Sequence, residues 1–420
     1  MTGNMNFFDV DENRVLRKLD SFEEHFWLME QVARRGHVLA AEISGQTRIE
    51  NWHEALRKLQ KAYPLLQASI GKVEGERPFF YSVPERPMPL RVEPLTSSFS
   101  VTEAIEKELS DPFKDGEPLT RSALFHQENK CVFLISSHHA SLDGKSHLFL
   151  LDDLLCLLTE RASQQSQPLT PSVAVLFGRK SPEYQTTDHT SAVSNEAVPV
   201  RPAIGVHVTR TELSSAETAN LVANAKQRGA SIHSAVLTAL ALAGLRSSAA
   251  WRTEGIRCLS PVDIRPFHGL ADQVGQLVVL HRCLLEELRE DQFWEVAARI
   301  TSSMRSSALC NSIEHFLNQA SSLVEDEHSP QTHLRLLLNS GFVHDLMLTS
   351  YGSHQVRTRF RGLRLDQVFT AGFVGGPDSQ KFSTMTVNGS LGITHVAHHP
   401  FPEMLQTAKG ILTAALATSS

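Results

Sequence analysis

A short apolar segment that runs directly into two histidines and an Asp-Gly pair constrains the fold of this chain most. Residues 131–136, CVFLIS, are apolar almost throughout, which is typical of a central strand covered on both faces. Residues 123–126 and the polar turn at 127–130 come just before it and predict a hairpin. The motif HHASLDG follows, and from 145 to 158 the apolar positions repeat with a helical period. The sequence therefore predicts a strand, a loop and a helix that hold the motif between them.

The motif contains residue types that can carry acid–base chemistry. His139 follows the strand closely, so its side chain can point into a cleft, and a neutral imidazole accepts a proton near neutral pH. Asp143 is expected to be buried, and a buried carboxylate stays ionised only beside a cation or several hydrogen-bond donors. Gly144 is expected to allow the backbone bend of the loop. These three residues, with His138 beside them, are the candidate site.

Other interpretations of the motif compete with the catalytic one. An isolated histidine pair is most often part of a core or a surface. A metal site would need a histidine partner four positions away on a helix, and His147 lies at the wrong spacing, so no metal ion is predicted. The GKS at 144–146 does not predict a nucleotide site, because His139 stands where a phosphate-binding loop needs its first glycine.

The length of 420 residues exceeds what one core usually holds, so two domains are expected. Residues 162–202 are rich in Ser, Thr, Gln and Pro and show little apolar periodicity. We therefore divide the chain into an N-terminal half, 1–165, a linker or crossing segment, 166–202, and a C-terminal half, 203–420.

Both halves mix helical and strand patterns, which predicts an α/β fold. Helices are predicted at 49–62, after the capping box of Ser214 and Glu217, and at 232–245. Strands are predicted at 256–259, 277–281, 345–349 and 382–386.

Composition excludes several classes of protein. A net charge of −6 gives no electrostatic reason to expect a nucleic acid partner. The five cysteines are scattered without a CxxC pair, which argues against a zinc site and fits a reducing compartment. The N-terminus lacks the pattern of a secretory signal, and the most apolar stretches fall short of the roughly 20 residues of a membrane span. The sequence predicts a soluble, cytoplasmic protein without a membrane span.

The motif HHASLDG resembles the HHxxxDG signature of a superfamily of acyltransferases. This superfamily holds the nonribosomal-peptide condensation domains, the plant BAHD acyltransferases and the mycobacterial polyketide-associated acyltransferases. Further segments are similar to the family in order and spacing: DPFKDGEPLTRSALF, LSSAETANLVANAKQRGASIHSAVLTALALAGL, PVDIRPFHGLADQVGQLVV, LMLTSYGS and FSTMTVNGSLGITH. Together they cover most of the chain. A tryptophan-containing DFGWG motif, typical of the plant branch, is replaced by TSYG at 349–352, which argues against a plant-type enzyme.

The resemblance implies a fold and a set of site residues. The fold would be two chloramphenicol-acetyltransferase-like domains that form a V-shaped pseudo-dimer with a tunnel between them. His139 would be the general base, with His138 in support, and Asp143 would be structural and paired with Arg265. The late-strand residues that would line the tunnel are Ser350, Tyr351 and Gly352. Ser350 and the Gly144 amide are also candidates for the donor that stabilises the oxyanion.

The resemblance also implies a reaction. An acyl group would move from a thioester, on coenzyme A or on the phosphopantetheine of a carrier protein, to a small-molecule alcohol. The thioester would be a co-substrate, and no resident cofactor is expected. A stand-alone condensation enzyme that forms an amide with an amine acceptor is one alternative. A non-catalytic relative that serves as a docking platform for a carrier protein is the other.

Overall fold

Two large mixed sheets organise the molecule. A computed structural model describes residues 12–34, 36–73, 75–113, 116–160, 165–180, 205–327, 329–340, 342–351 and 356–417. Within these residues the chain forms thirteen α-helices, fifteen β-strands, two six-stranded sheets and one small three-stranded sheet. The predicted α/β class is confirmed.

The elements up to residue 176 supply four strands of the first large sheet, the small three-stranded sheet and five α-helices. They are β1 (Val15–Lys18), α1 (Ser21–Glu30), β2 (Gly36–Ser44), α2 (Ile49–Ala62), β3 (Ala68–Gly71), β4 (Phe79–Ser82), β5 (Leu90–Pro94), α3 (Val101–Ser110), β6 (Thr120–Gln127), β7 (Lys130–His138), α4 (Gly144–Glu160) and α5 (Val173–Leu176). The predicted hairpin is β6 and β7, and the predicted helix that follows the motif is α4.

The elements after the linker build the second large sheet and its helices, and they add two strands to the first large sheet. They are β8 (His207–Leu213), α6 (Ser215–Gln227), α7 (Ile232–Ser247), α8 (Ala249–Glu254), β9 (Ile256–Asp263), α9 (Arg265–His268), β10 (Val278–Leu285), α10 (Phe293–Ser303), α11 (Ser306–Ser322), α12 (Pro330–Leu338), β11 (Leu346–Ser350), β12 (Arg359–Phe360), β13 (Leu363–Gly372), β14 (Gln380–Val387), β15 (Ser390–Ala397) and α13 (Met404–Ala417).

Strand order places the motif near the middle of the first large sheet. Its order is β12-β13-β2-β7-β6-β5, so β7, which ends at His138, is flanked by β2 and β6. The second large sheet has the order β10-β9-β11-β14-β15-β8. Strands β12 and β13 lie late in the chain yet pair into the first sheet through β2. Local sequence patterns did not predict that these two strands join the first sheet, because this depends on pairing between distant segments.

Apolar helices cover both sheets. Trp52 of α2 stacks on Phe133 of β7, with ring centroids 5.0 Å apart. Residues 234–244 of α7 are all buried, which explains why this helix is apolar on every side. Among the described residues, no single helix is long and apolar enough to cross a membrane; α6 and α7 pass that test only as a pair, which is bent by 101°.

The boundaries at 165 and 202 stay a prediction. Residues 165–180 of the linker region are described and include α5, whereas 181–202 lie outside the described residues.

Candidate functional site

His139 lies one residue beyond the end of β7, and aromatic rings hold it in place. The ring of Phe26, from α1, stacks on it with centroids 4.4 Å apart and planes 4° apart. Phe373, just after β13, meets it edge-on with centroids 5.4 Å apart, and His37 of β2 does so at 5.8 Å. The side chain is buried, with 8% of its surface exposed. Packing rather than a hydrogen-bonded partner therefore fixes the orientation of the imidazole.

The two ring nitrogens of His139 are not equivalent. Nδ1 is buried and makes no hydrogen bond to another residue within the described part of the chain, while the residue's own backbone carbonyl lies near enough to raise the pKa. Nε2 is thus the nitrogen left to meet a substrate. Burial, helped by the charge of Lys381, lowers the pKa of His139 to about 3, while Asp143 and the backbone carbonyl raise it. The imidazole is neutral at physiological pH, as a general base must be.

Asp143 and Arg265 form a buried, bidentate ion pair. Nη1 of Arg265 donates to Oδ2 of Asp143 at 2.9 Å, and Nη2 donates to Oδ1 at 3.1 Å. The backbone N–H groups of Ser146 and Leu277 also donate to the carboxylate, at 2.8 and 3.0 Å. Burial raises the pKa of Asp143, but the charge and hydrogen bonds of Arg265 outweigh it, so the pKa lies below the usual value. The carboxylate is fully occupied and serves a structural purpose.

The same contacts join the motif to the C-terminal half. The N–H of Asp143 donates to the carbonyl of Gly275 at 3.2 Å, and the N–H of Gly275 donates to the Oγ of Ser146 at 3.0 Å. Lys145 contacts Asp263 with a distance of 2.7 Å between Nζ and Oδ2. The structure thus brings together two of the predicted residues, Asp143 and Arg265, that lie 122 positions apart in the sequence.

His138 supports the loop from within. Its Nδ1 accepts a hydrogen bond from the N–H of Ala140 at 3.1 Å, and its carbonyl accepts one from the hydroxyl of Ser141 at 2.8 Å. Burial lowers the pKa of His138 to about 3. A neutral imidazole bound to its own loop is a structural element, in line with the supporting role that the resemblance implies.

A chain of hydrogen bonds runs beneath the motif and includes residues that the sequence did not single out. His37 is central: its Nε2 lies 2.9 Å from the Oη of Tyr351, and its Nδ1 lies 2.9 Å from the Nδ1 of His147. The Nε2 of His147 then lies 2.8 Å from the Oγ of Ser137. Only one nitrogen of the His37–His147 pair can carry the shared proton, so the proton positions along the chain are coupled. Tyr351 directly follows β11 of the second sheet, so its hydrogen bond with His37 of β2 links the second sheet to the first.

A glycine is required at position 144 because neighbouring side chains leave no room for a Cβ. Gly144 is not among the glycines with positive φ, so the predicted backbone bend is not the reason for a glycine here. A Cβ at this position would collide with the Oη of Tyr351 and would lie 2.8 Å from the Nε2 of His37. The bare Cα lets the tyrosine hydroxyl reach the first turn of α4.

We therefore expect Gly144→Ala to cost about 1–3 kcal/mol in the free energy of unfolding, the usual effect of overpacking. Tyr351→Phe removes the oxygen nearest to the new Cβ but leaves the contact with His37, so the double variant should cost less than the sum of the two single ones. Urea unfolding of the unchanged protein, the two single variants and the double variant measures these differences in the free energy of unfolding. A double variant as unstable as the sum of the two single ones would show that this contact does not explain the glycine.

The side chains of Ser350 and Tyr351 belong to different groups of polar residues. The Oγ of Ser350 lies 2.9 Å from the Nδ1 of His233 on α7 and 2.8 Å from the Oγ1 of Thr384 on β14. The Nε2 of His233 lies 2.8 Å from the Oγ of Ser260. Ser350 therefore belongs to a polar group of the second sheet, while its neighbour Tyr351 joins the histidines. Gly352 lies outside the described residues.

Lys381 of β14 brings a buried positive charge to the site. Its Nζ lies 4.6 Å from the ring centroid of Phe373. Gly372 makes room for it, because a Cβ there would lie 2.6 Å from this nitrogen. The charge lowers the pKa of both His37 and His139. The signal available in the sequence was a lysine inside the strand QKFSTMTV, where a charge on a buried strand is costly without a purpose.

The buried histidines make a prediction about pH. Burial lowers the pKa of His138 and His139 to about 3 and that of His147 to about 4. The unfolded chain, with histidine pKa values near 6.5, takes up these protons first as the pH falls. Folded stability is therefore lost below pH 6.5, by up to about 1.4 kcal/mol per pH unit for each histidine. Burial raises the pKa of Glu23 to about 7, so this one carboxyl has the opposite effect and adds stability as the pH falls.

Urea unfolding between pH 7 and about pH 5, above the range where most carboxylates titrate, measures the slope. A free energy of unfolding that stays constant over this interval would mean that these imidazoles are hydrated in the folded protein. Replacing His147 by Asn should make the slope shallower.

Comparisons with known proteins agree with this geometry. Residues 24–189 match the family model of the condensation domain, and residues 202–348 match that of the phthiocerol/phthiodiolone dimycocerosyl transferase C-terminus. A stretch of 108 residues is 31% identical to polyketide synthase PksN of Bacillus subtilis; it spans 25% of this chain and only 2% of that synthase.

Solved structures share the whole architecture. Polyketide synthase associated protein 5 from Mycobacterium tuberculosis matches with a TM-score of 0.68 and 16% identity, over 97% of this chain and 99% of that one. The first condensation domain of the CDA synthetase matches with a TM-score of 0.66 and 17% identity, over 96% and 97%. Trichothecene 15-O-acetyltransferase from Fusarium sporotrichioides matches with a TM-score of 0.65 and 14% identity, over 95% and 94%.

Two large sheets, with HHASLDG at the end of a central strand of the first, define a condensation-type fold. Two separate parts of the chain thus match family models of condensation domains and of a polyketide-associated acyltransferase, and the chain shares the fold of both. These matches support acyltransferase chemistry in general terms.

Proposed function

We propose that this chain transfers an acyl group from a thioester to the hydroxyl of a small-molecule acceptor, with His139 as general base, in the biosynthesis of a natural product or lipid. The donor is carried by coenzyme A or by the phosphopantetheine of a carrier protein. The observation that carries the proposal is the state of His139: a neutral imidazole at the end of a central strand, with Nδ1 buried and Nε2 left for a substrate.

The chemistry follows from that state. Nε2 takes the proton of the acceptor hydroxyl while its oxygen bonds to the thioester carbonyl carbon. The tetrahedral intermediate then breaks its carbon–sulfur bond, and the imidazolium returns the proton to the leaving thiolate. No acyl-enzyme is needed, because both substrates meet at one imidazole and their approach becomes effectively unimolecular. Asp143 and Arg265 hold the loop and take no proton.

The nature of the acceptor separates this proposal from its nearest alternative. The condensation-domain match over residues 24–189 favours an amine acceptor and an amide product. The match of residues 202–348 to a dimycocerosyl transferase and the likeness to an O-acetyltransferase favour an alcohol and an ester. We propose the ester as the product, because residues 202–348 match a dimycocerosyl transferase and the fold of the trichothecene 15-O-acetyltransferase extends over 95% of this chain.

A panel of acyl-coenzyme A thioesters, each offered to alcohols and amines, tests the proposal. Thiol release is followed with Ellman's reagent and the products are identified by mass spectrometry. We expect thiol release that depends on the acceptor and an ester product. An amide would establish the alternative. Binding of a carrier protein without transfer in any combination would instead support the non-catalytic docking relative.

A further inference from the structure

The groups around His139 are unusual for a histidine that becomes positively charged during proton transfer. In the proposed reaction the imidazole becomes an imidazolium for the lifetime of the tetrahedral intermediate. Many histidine bases rely on a carboxylate hydrogen-bonded to Nδ1 to stabilise this charge. Here Nδ1 makes no hydrogen bond to another described residue and has only the residue's own backbone carbonyl near it, and the nearby carboxylate of Asp143 is occupied by Arg265. Lys381 contributes a charge of the same sign.

The face of Phe26 is the group in contact with the ring. The two planes are 4° from parallel and the centroids lie 4.4 Å apart, well within the distance of about 6 Å at which an aromatic face attracts a cation. Both side chains are buried, so water does not screen the attraction.

The position of Phe26 is fixed by its surroundings. Its helix begins with a capping box at Asp20 and Glu23. Phe22 packs against Phe26 with centroids 4.6 Å apart, and Phe373 meets it edge-on at 5.5 Å. The ring is therefore held over the imidazole before the reaction begins, which is the condition for electrostatic stabilisation without reorganisation.

We propose that Phe26 is a positioning residue that stabilises the imidazolium of His139 through a cation–π contact. It takes the place of the carboxylate that orients and stabilises other histidine bases. The inference rests on the proposed function of His139 and adds the means by which its charged form is tolerated in a buried site next to Lys381.

Fluorination tests the electrostatic claim, because each fluorine weakens the negative face of the ring while changing its size little. Mono-, di- and trifluorophenylalanine at position 26 should lower kcat step by step, with KM unchanged. Phe26→Leu should lower kcat about 30-fold, the rate equivalent of a cation–π contact in a desolvated site. Phe26→Tyr, which keeps the aromatic face, should restore most of the rate. The same series at Phe80, a buried ring away from the site, should leave kcat unchanged.

A second measurement does not depend on knowing the substrate. Diethyl pyrocarbonate acylates neutral imidazole, and positive charge builds on the ring as the new bond forms. The rate at His139, followed by peptide mass spectrometry, should fall along the fluorinated series, while the exposed His53 in the same protein keeps its rate. Rates at His139 that stay constant along the series, with Phe26→Leu slow, would reduce Phe26 to a packing role. Normal turnover of His139→Ala would instead overturn the proposed function, and the modification rates would still decide the role of Phe26.

Discussion

Replacing His139 by Ala should lower turnover by about 10²–10⁴-fold, the usual range for the loss of a positioned general base. The loss should appear in kcat, since the proton is moved only in the chemical step. The melting temperature should change little, because the substitution removes a buried polar atom without a hydrogen-bond partner as well as apolar contacts with Phe26.

The matched control is His138→Ala at the neighbouring position. His138 holds the loop through Ala140 and Ser141, so its loss should reduce stability and affect turnover less than the loss of His139. Initial rates and thermal unfolding of both variants decide the matter. If His139→Ala turned over at nearly the normal rate, the general-base assignment would have to be abandoned.

Separating Asp143 from Arg265 should produce the largest loss of stability. Each single substitution by Ala leaves a buried charge without its main partner, at a cost of about 3–5 kcal/mol in the free energy of unfolding. Arg265 keeps Asp263 as a second partner, at 2.9 Å, so Asp143→Ala should lie at the lower end of this range. Activity should fall with stability in both, unlike in His139→Ala.

A double-mutant cycle isolates the pair, because the double variant leaves neither charge stranded and should cost much less than the sum of the single changes. The exposed pair Arg289 and Asp291 provides the control, and its coupling should be negligible beside that of the buried pair. Additive effects of Asp143→Ala and Arg265→Ala would show that the two side chains do not interact in solution.

Local patterns were sufficient for the part of the site that lies in one segment. The apolar run at 131–136 and the helical period after it placed HHASLDG between β7 and α4, and the capping box at Ser214 marked the start of α6. Arg265 was found only through the resemblance, since no local pattern links a residue on one half to a carboxylate on the other.

The part of the site that the sequence did not predict consists of contacts between distant segments. His37 stands in the strand GHVLAAEIS as a single histidine, and only the pairing of β2 with β7 brings it beside Ser137. Phe26 lies in a helix buried on nearly all sides, so its sequence does not show which face meets His139. Tyr351 was predicted as a tunnel residue from the resemblance. Its close approach to the bare Cα of Gly144 is visible only in the structure.

A structure of the protein with a thioether analogue of an acyl-coenzyme A shows where the donor sulfur binds relative to His139. The sulfur should lie within about 3–3.5 Å of the Nε2 of His139, the separation expected of groups that exchange a proton or react. The Asp143–Arg265 pair should stay intact beneath the loop. An analogue bound with its sulfur beside Ser350 and His233, and away from His139, would contradict the assignment of His139 as the base.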